Sequence, residues 1–158
     1  MLGDKLDGKL IDGVLARART SPRLRANHGF HKPTDRLQRM VNVALAGSYF
    51  APHRHKDPDK LEIFTALRGR VIVIAFTDTG EIEDHVILDA EGETRQVEIP
   101  PGVWHTLLIL SPEAALYEVI DGHYDARTHK RFAPWAPSEA DAEGSRQYLE
   151  DLRRRCNT

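Results

Sequence analysis

The chain has 158 residues, 41% hydrophobic and 29% charged, with a formal net charge of −2. That length can bury a real core, that composition suggests neither disorder nor a membrane class, and a net charge so near neutral does not by itself mark a nucleic-acid protein. No apolar run approaches the ~18 residues of a membrane span, and the lone cysteine, Cys156, has no partner for a disulfide. The opening residues carry two acids and no small-residue cleavage site, so a cytoplasmic location is expected.

Leu2, Leu6, Leu10, Ile11, Val14, Leu15 and Ala18 recur at steps of three and four, which predicts an amphipathic helix ending at Ser21-Pro22. From Thr20 to Thr34 no period is visible and a loop is expected. This stretch is basic: Arg17, Arg19, Arg23, Arg25, Lys32, Arg36 and Arg39 face a single acid, Asp35. Such a run is either a solvated arm or a seat for an anionic molecule or partner surface.

Short runs rich in Val, Ile, Leu, Phe and Tyr follow. They predict strands at Val41–Ala46, Ser48–His55, Leu61–Leu67, Val71–Phe76, Ile82–Leu88, Thr94–Ile99, Val103–Leu110 and Ala114–Ile120. Closely spaced strands with no helix between them imply a mainly β sandwich or barrel. Arg131–Pro137 is aromatic and proline-rich, and reads as an extended cover over one end of it. A closing helix is expected over Asp141–Arg155, with its acids early and Arg153, Arg154 and Arg155 late. The organisation expected is one domain over 1–158: helix and basic loop to 40, barrel over 41–120, tail and closing helix over 121–158.

Two segments carry chemistry. His53 and His55 are two apart and so share one face of a strand. Glu62 opens the next strand, and His105 follows the Pro100-Pro101-Gly102 turn. Three imidazoles and a carboxylate converging inside a barrel make an N3O site for one divalent first-row ion, with positions left for water or substrate. Core packing explains such a set poorly, because clustered polar groups in an apolar interior are costly unless paired.

The spacing Gly47-x5-His53-x-His55-x6-Glu62-x6-Gly69, then Pro100-x-Gly102-x2-His105, resembles the paired motifs of the cupin superfamily. The resemblance implies a jelly-roll β-barrel with an N-terminal and a C-terminal helix, and metal ligands at His53, His55, Glu62 and His105. The six residues before Glu62 are more than the superfamily's usual three or four, and Ile109 stands where Asn is common. Ser21–Asn27, Gly47–His55, Glu98–Thr106 and Lys130–Pro137 are similar to segments of the WbuC family of cupin-fold metalloproteins, found among O-antigen gene clusters. Leu61 stands where those relatives often have Trp.

Other candidates are less constrained. Strand parity places Tyr49 and Ala51 beside the histidines, Lys60, Phe64 and Ala66 with Glu62, and Val103, Leu107 and Ile109 with His105. Tyr49 is either a pocket hydroxyl or a core aromatic. Glu118, in an apolar strand, is a base near the metal, a partner for a ligand histidine, or outward-facing. Arg23, Arg25 and Asn27 are candidates for substrate binding at the mouth, where Tyr124 and Lys130 would help close the pocket. His85 reads as a surface residue, and His123 and His129 lie in turn-like sequence.

The function expected is a metalloenzyme, with Fe2+, Mn2+, Zn2+ or Ni2+, acting on a small anionic or sugar-like ligand by isomerase or epimerase chemistry. The alternatives are an Fe(II)-dependent dioxygenase and a non-catalytic binding cupin. No nucleic acid or membrane partner is expected, and a homodimer is.

Overall fold

A computed structural model describes residues 3–157. Helix α1 (Gly8–Thr20) starts on an Asp7 side chain that accepts from the Leu10 amide at 2.9 Å, and it stops before Pro22. Ten strands follow: β1 (Arg25–Gly29), β2 (Leu37–Leu45), β3 (His53–Arg54), β4 (Glu62–Arg68), β5 (Arg70–Phe76), β6 (Ile82–Asp89), β7 (Gln96–Ile99), β8 (Trp104–Ile109), β9 (Glu113–Asp121) and β10 (Arg131–Phe132). Helix α2 (Ala142–Arg155) closes the chain, capped by Asp141.

The strands form two antiparallel five-stranded sheets, ordered β1-β2-β9-β4-β7 and β10-β3-β8-β5-β6. This is the mainly β jelly roll with terminal helices that the sequence predicts. Among the described residues no hydrogen-bonded ladder joins one sheet to the other, so the expected barrel is a pair of facing sheets.

Alternation sorts the core into three layers. Phe64, Ala66 and Leu116 of the first sheet meet Val71, Val73, Leu107 and Ile109 of the second between the sheets. The outer side of the second sheet, with Ile72, Ile74, Phe76 and Leu108, packs under Leu149 and Leu152 of α2. Val41 and Val43, on the outer side of the first, pack under Ile11, Val14 and Leu15 of α1. The apolar run Val71–Phe76 is therefore covered on both faces, as its composition requires.

Two segments differ from expectation. The stretch read as a loop contains β1, whose five residues pair with Met40–Ala44. Arg-Ala-Asn-His-Gly has no β-branched residue to announce a strand; the edge of β2 and contact with α1 impose it. Conversely, only His53 and Arg54 of the expected strand Ser48–His55 join a ladder. Gly47, at φ +88°, turns the chain out of strand geometry, so parity fails before His53. Tyr49 consequently packs with the α2-side core.

Gly69 joins β4 to β5 at φ +70°, where a Cβ would lie 2.3 Å from the Glu113 carbonyl oxygen and 2.4 Å from Ser111 Oγ. Gly102 also has positive φ, +79°, but a Cβ there would meet nothing within 4 Å. Gly69→Ala should thus lose at least about 2–3 kcal/mol of stability and Gly102→Ala about 1 kcal/mol, as read by urea denaturation. Equal losses would show that backbone conformation alone, and not the packing around Gly69, sets the penalty.

Candidate metal centre and cavity

His53 on β3 pairs with His105 on β8, so the two rings project from one side of the second sheet with centroids 4.5 Å apart. His55, one residue beyond β3, adds a third ring 5.4 Å from His53. Glu62 opens β4 in the opposite sheet and reaches across the seam. Its Oε2 lies 3.1 Å from His55 Nε2 and 2.9 Å from His105 Nε2. None of the four is more than 5% exposed, and their ligand atoms all lie within 4.8 Å of one another.

The rings are held by their far nitrogens. Nδ1 of His53 donates to the Ala51 carbonyl (3.0 Å), that of His55 to His129 (2.5 Å) and that of His105 to Val103 (3.0 Å). This turns all three Nε2 atoms inward, with lone pairs free for a metal ion. The Nε2 atoms of His53 and His105 are buried without a hydrogen-bond partner, although His105 Nε2 is close to Glu62. That proximity lacks hydrogen-bond geometry and sets a lone pair against a carboxylate oxygen. Orphaned buried polar atoms cost about 1–3 kcal/mol each, which coordination would remove. The donor set and its orphaned nitrogens fit a divalent ion.

The electrostatics agree. Burial, then the charges of Lys130 and His105, hold His53 well below its ordinary pKa, in the neutral form a ligand needs. Burial pushes the Glu62 carboxyl upward, but its close neighbours, His105 first and then His55, outweigh burial and hold it well below the ordinary carboxylate range. Glu118 behaves oppositely. Burial and the neighbouring Glu62 charge raise it well above the carboxylate range, and Lys130 only partly offsets them. It is hydrogen-bonded to Glu62 on one side and accepts from Asn42 Nδ2 on the other. Of its three sequence readings, the outward-facing one is overturned: Glu118 is 7% exposed and faces the seam.

His53, Glu62 and Glu118 form part of the wall of a cavity of about 830 Å3 between the sheets. Arg23, Arg25, Asn27, Tyr124 and Lys130 all line it. The two arginines are already engaged, however, both by Glu139. Tyr49 is not brought to the site: its hydroxyl donates to the Pro137 carbonyl at 2.7 Å. Lys60 is buried as parity requires, yet its Nζ donates to the His123 carbonyl and anchors the 122–130 segment. His85 is exposed, as expected.

Sequence reasoning missed Asn42, Gln38, His129 and Glu139, all at the cavity. Val41 and Val43 signal a buried outer face of β2, which turns Gln38 and Asn42 inward by alternation. His129 gives no such signal. It lies outside any strand and arrives with the segment whose carbonyl holds His55, its ring 4.9 Å from that histidine. Burial first, then the charges of His55 and Lys130, push its pKa down to about 3.

A jelly roll with three histidines and a glutamate converging between its sheets has the cupin fold and a buried group that could hold a metal ion. Residues 6–88 match the family described as Domain of unknown function (DUF6016), and the chain belongs to that family. No curated protein matches at the level of sequence. Among solved structures, the capsular polysaccharide assembling protein CapF from Staphylococcus aureus aligns with TM-score 0.59 and 22% identity, over 71% of this chain and 32% of its own. The chain thus spans about a third of the length of CapF. TT1209 from Thermus thermophilus aligns with TM-score 0.56 and 22% identity over 75% of this chain and 96% of its own. Oxalate oxidase in complex with the substrate analogue glycolate aligns with TM-score 0.57 and 16% identity over 86% and 74%. At these identities the likeness is one of fold. No helix among the described residues is long and apolar enough to cross a membrane.

Two outcomes follow. His105→Ala should lose most of its bound metal by elemental analysis while keeping the β-rich circular dichroism of the parent; full occupancy would remove His105 from the ligand set. In the metal-free protein, His53 and His129 are neutral when folded but titrate near 6.5 once unfolded. Their stabilisation is therefore complete above about 6.5 and is lost as pH falls toward the folded values. Denaturant midpoints should drop on going from about pH 7.5 to 5, and less steeply in His129→Asn.

Proposed function

We propose that the protein is a metal-binding cupin in which His53, His55, Glu62 and His105 hold one divalent ion, and that it acts on a small anionic, sugar-like substrate as an isomerase or epimerase. The observation that carries this reading is the set of three inward Nε2 atoms, locked by their Nδ1 bonds and joined by Glu62, with His53 and Glu62 lining a large cavity. The volume, about 830 Å3, lies within the ~300–1,000 Å3 typical of small-molecule sites. A divalent ion in that set supplies Lewis acidity to polarise a substrate carbonyl.

The chain's own groups supply the rest. Glu118 holds a proton between Glu62 and Asn42, facing the cavity, where it can be given to a substrate atom and taken back. Lys130 and the arginines at the mouth favour an anion, and the exposed rings of Tyr124 and Phe132 flank the entrance. The similarity to the WbuC family supports a role in O-antigen or related polysaccharide synthesis. The fold it shares with a capsular polysaccharide assembling protein is compatible with that role. We read residues 1–158 as one working unit that pairs into a homodimer. An apolar groove on the outer side of the first sheet, with Leu6, Phe30, Leu67 and Tyr117, supports the pairing.

Sugars incubated with the metal-loaded protein in D2O should gain carbon-bound deuterium without consuming oxygen, and Mn2+ or Zn2+ should substitute for Fe2+. Glu118→Gln should slow exchange by about 10²–10⁴-fold with metal content unchanged. Oxygen uptake that requires Fe2+ would replace the isomerase reading with a dioxygenase. Silence in both assays across sugars and sugar acids would leave a binding module.

A further inference from the structure

Glu139 occupies a site built for a carboxylate. Its Oε1 accepts from Arg25 Nη2 at 2.6 Å and, at 3.5 Å, from the Ala51 amide; its Oε2 is 2.8 Å from Arg23 Nη2. Arg25 does not depend on Glu139 for its position. Its Nη1 donates to the Tyr49 carbonyl at 2.6 Å and to Ser48 Oγ at 3.3 Å, and its guanidinium lies over the Phe50 ring at 4.3 Å. Only 12% of its side chain is exposed, so it is a fixed, nearly buried cation. Glu139, by contrast, sits in a turn before α2 between the exposed residues Ser138 and Ala140. The Arg25 side of the seat is held by groups other than Glu139, and the occupant is tethered by a turn. Both arginines and Glu139 line the same cavity as the metal centre.

The seat is also linked to that centre. Ala51 offers its amide to Glu139 and its carbonyl to His53 Nδ1. A carboxylate held there touches the same residue whose carbonyl fixes the His53 ring. Removing Glu139 from the mouth would leave Arg23, Arg25 and Lys130 without this acid and raise the pull on any anion entering.

We propose that Arg23, Arg25 and the Ala51 amide form the binding site for a substrate carboxylate, filled in the resting protein by Glu139, so that the substrate is a sugar acid whose carboxylate displaces Glu139. This deepens the reading of an anionic, sugar-like substrate and rests on it. The two-oxygen geometry of the seat matches a planar carboxylate, and the chain's own occupant is one.

The test begins with the seat alone. In Glu139→Ala, about 100 mM sodium acetate should raise the melting temperature by about 2–4 °C over equal sodium chloride. The rise should appear in both metal-stripped and metal-loaded protein. It should be absent from the parent, whose seat is filled, and from the double variant that adds Arg23→Gln. Calorimetry then uses Glu139→Gln, which keeps the shape of the side chain. Metal-loaded Glu139→Gln should bind galacturonate about tenfold more tightly than the parent, with galactose affinity unchanged. A response to acetate no greater than to chloride overturns the seat. A larger response to inorganic phosphate overturns its assignment to carboxylates, and unimproved galacturonate binding overturns the displacement. Because the acetate arm needs no metal, failure of the metal centre leaves its result standing and is recognised separately.

Discussion

Four ionisable side chains lie in the seam between two apolar sheets, and the rest of the molecule is arranged around the difficulty of keeping them there. An unpaired polar group in such a place opposes folding by a few kcal/mol. The chain meets part of this by giving every imidazole a backbone carbonyl on its outer nitrogen; the inner nitrogens, with Glu62 brought from the facing sheet, are left as a donor set that an ion would satisfy. The pairing of β3 with β8 and the phase of β4 are thereby tied together. A one-residue slip of either would turn a ligand toward an outer core layer. Even the 122–130 segment is drawn in, because the carbonyl that holds His55 belongs to His129.

The two terminal helices have a complementary part. Each covers part of the outer face of one sheet, α1 the first and α2 the second, while the seam stays open at one end. Into that open end the chain directs its basic arm through β1, and from the other side the tail that precedes α2. The tail is stitched along the irregular segment before β3. Tyr49 reaches the Pro137 carbonyl, Ala133 donates to the Pro52 carbonyl, and Phe132 pairs with His53. The cover of the site and the backbone that carries two of its ligands are therefore one packed unit.

The convergence of His53, His55, Glu62 and His105 was legible in the sequence because its information is local: a period of two at His53 and His55, a turn before Glu62 and another before His105. The long strands were legible for the same reason, each carrying enough β-branched residues to declare itself. The rest depends on partners distant in sequence. Nothing in Arg25–Gly29 announces a strand until β2 lies beside it. Gly47 breaks the alternation that would have aimed Tyr49 inward, and a lone glycine in sequence does not say which way the chain turns. The basic stretch could be read as recruiting an anion, but not that Glu139, more than a hundred residues on, is already bound there.

Glu118 bears most directly on whether the cavity is a reactor or a container. Holding an ion requires the three histidines and Glu62; it does not require a second carboxyl against Glu62. Two buried carboxyls in contact cannot both ionise without strong repulsion, so one keeps its proton, and the surroundings here select Glu118. A glutamine at this position would keep hydrogen bonds to Asn42 and Glu62 with no titratable group to bury, and a chain that served only to store a metal or a sugar would gain by it. A carboxyl held neutral beside an ionised one, facing a cavity, is the arrangement by which enzymes assign acid and base roles to neighbouring groups. The burden that Glu118 places on folding is understandable if its proton is used, and this favours proton transfer over simple binding.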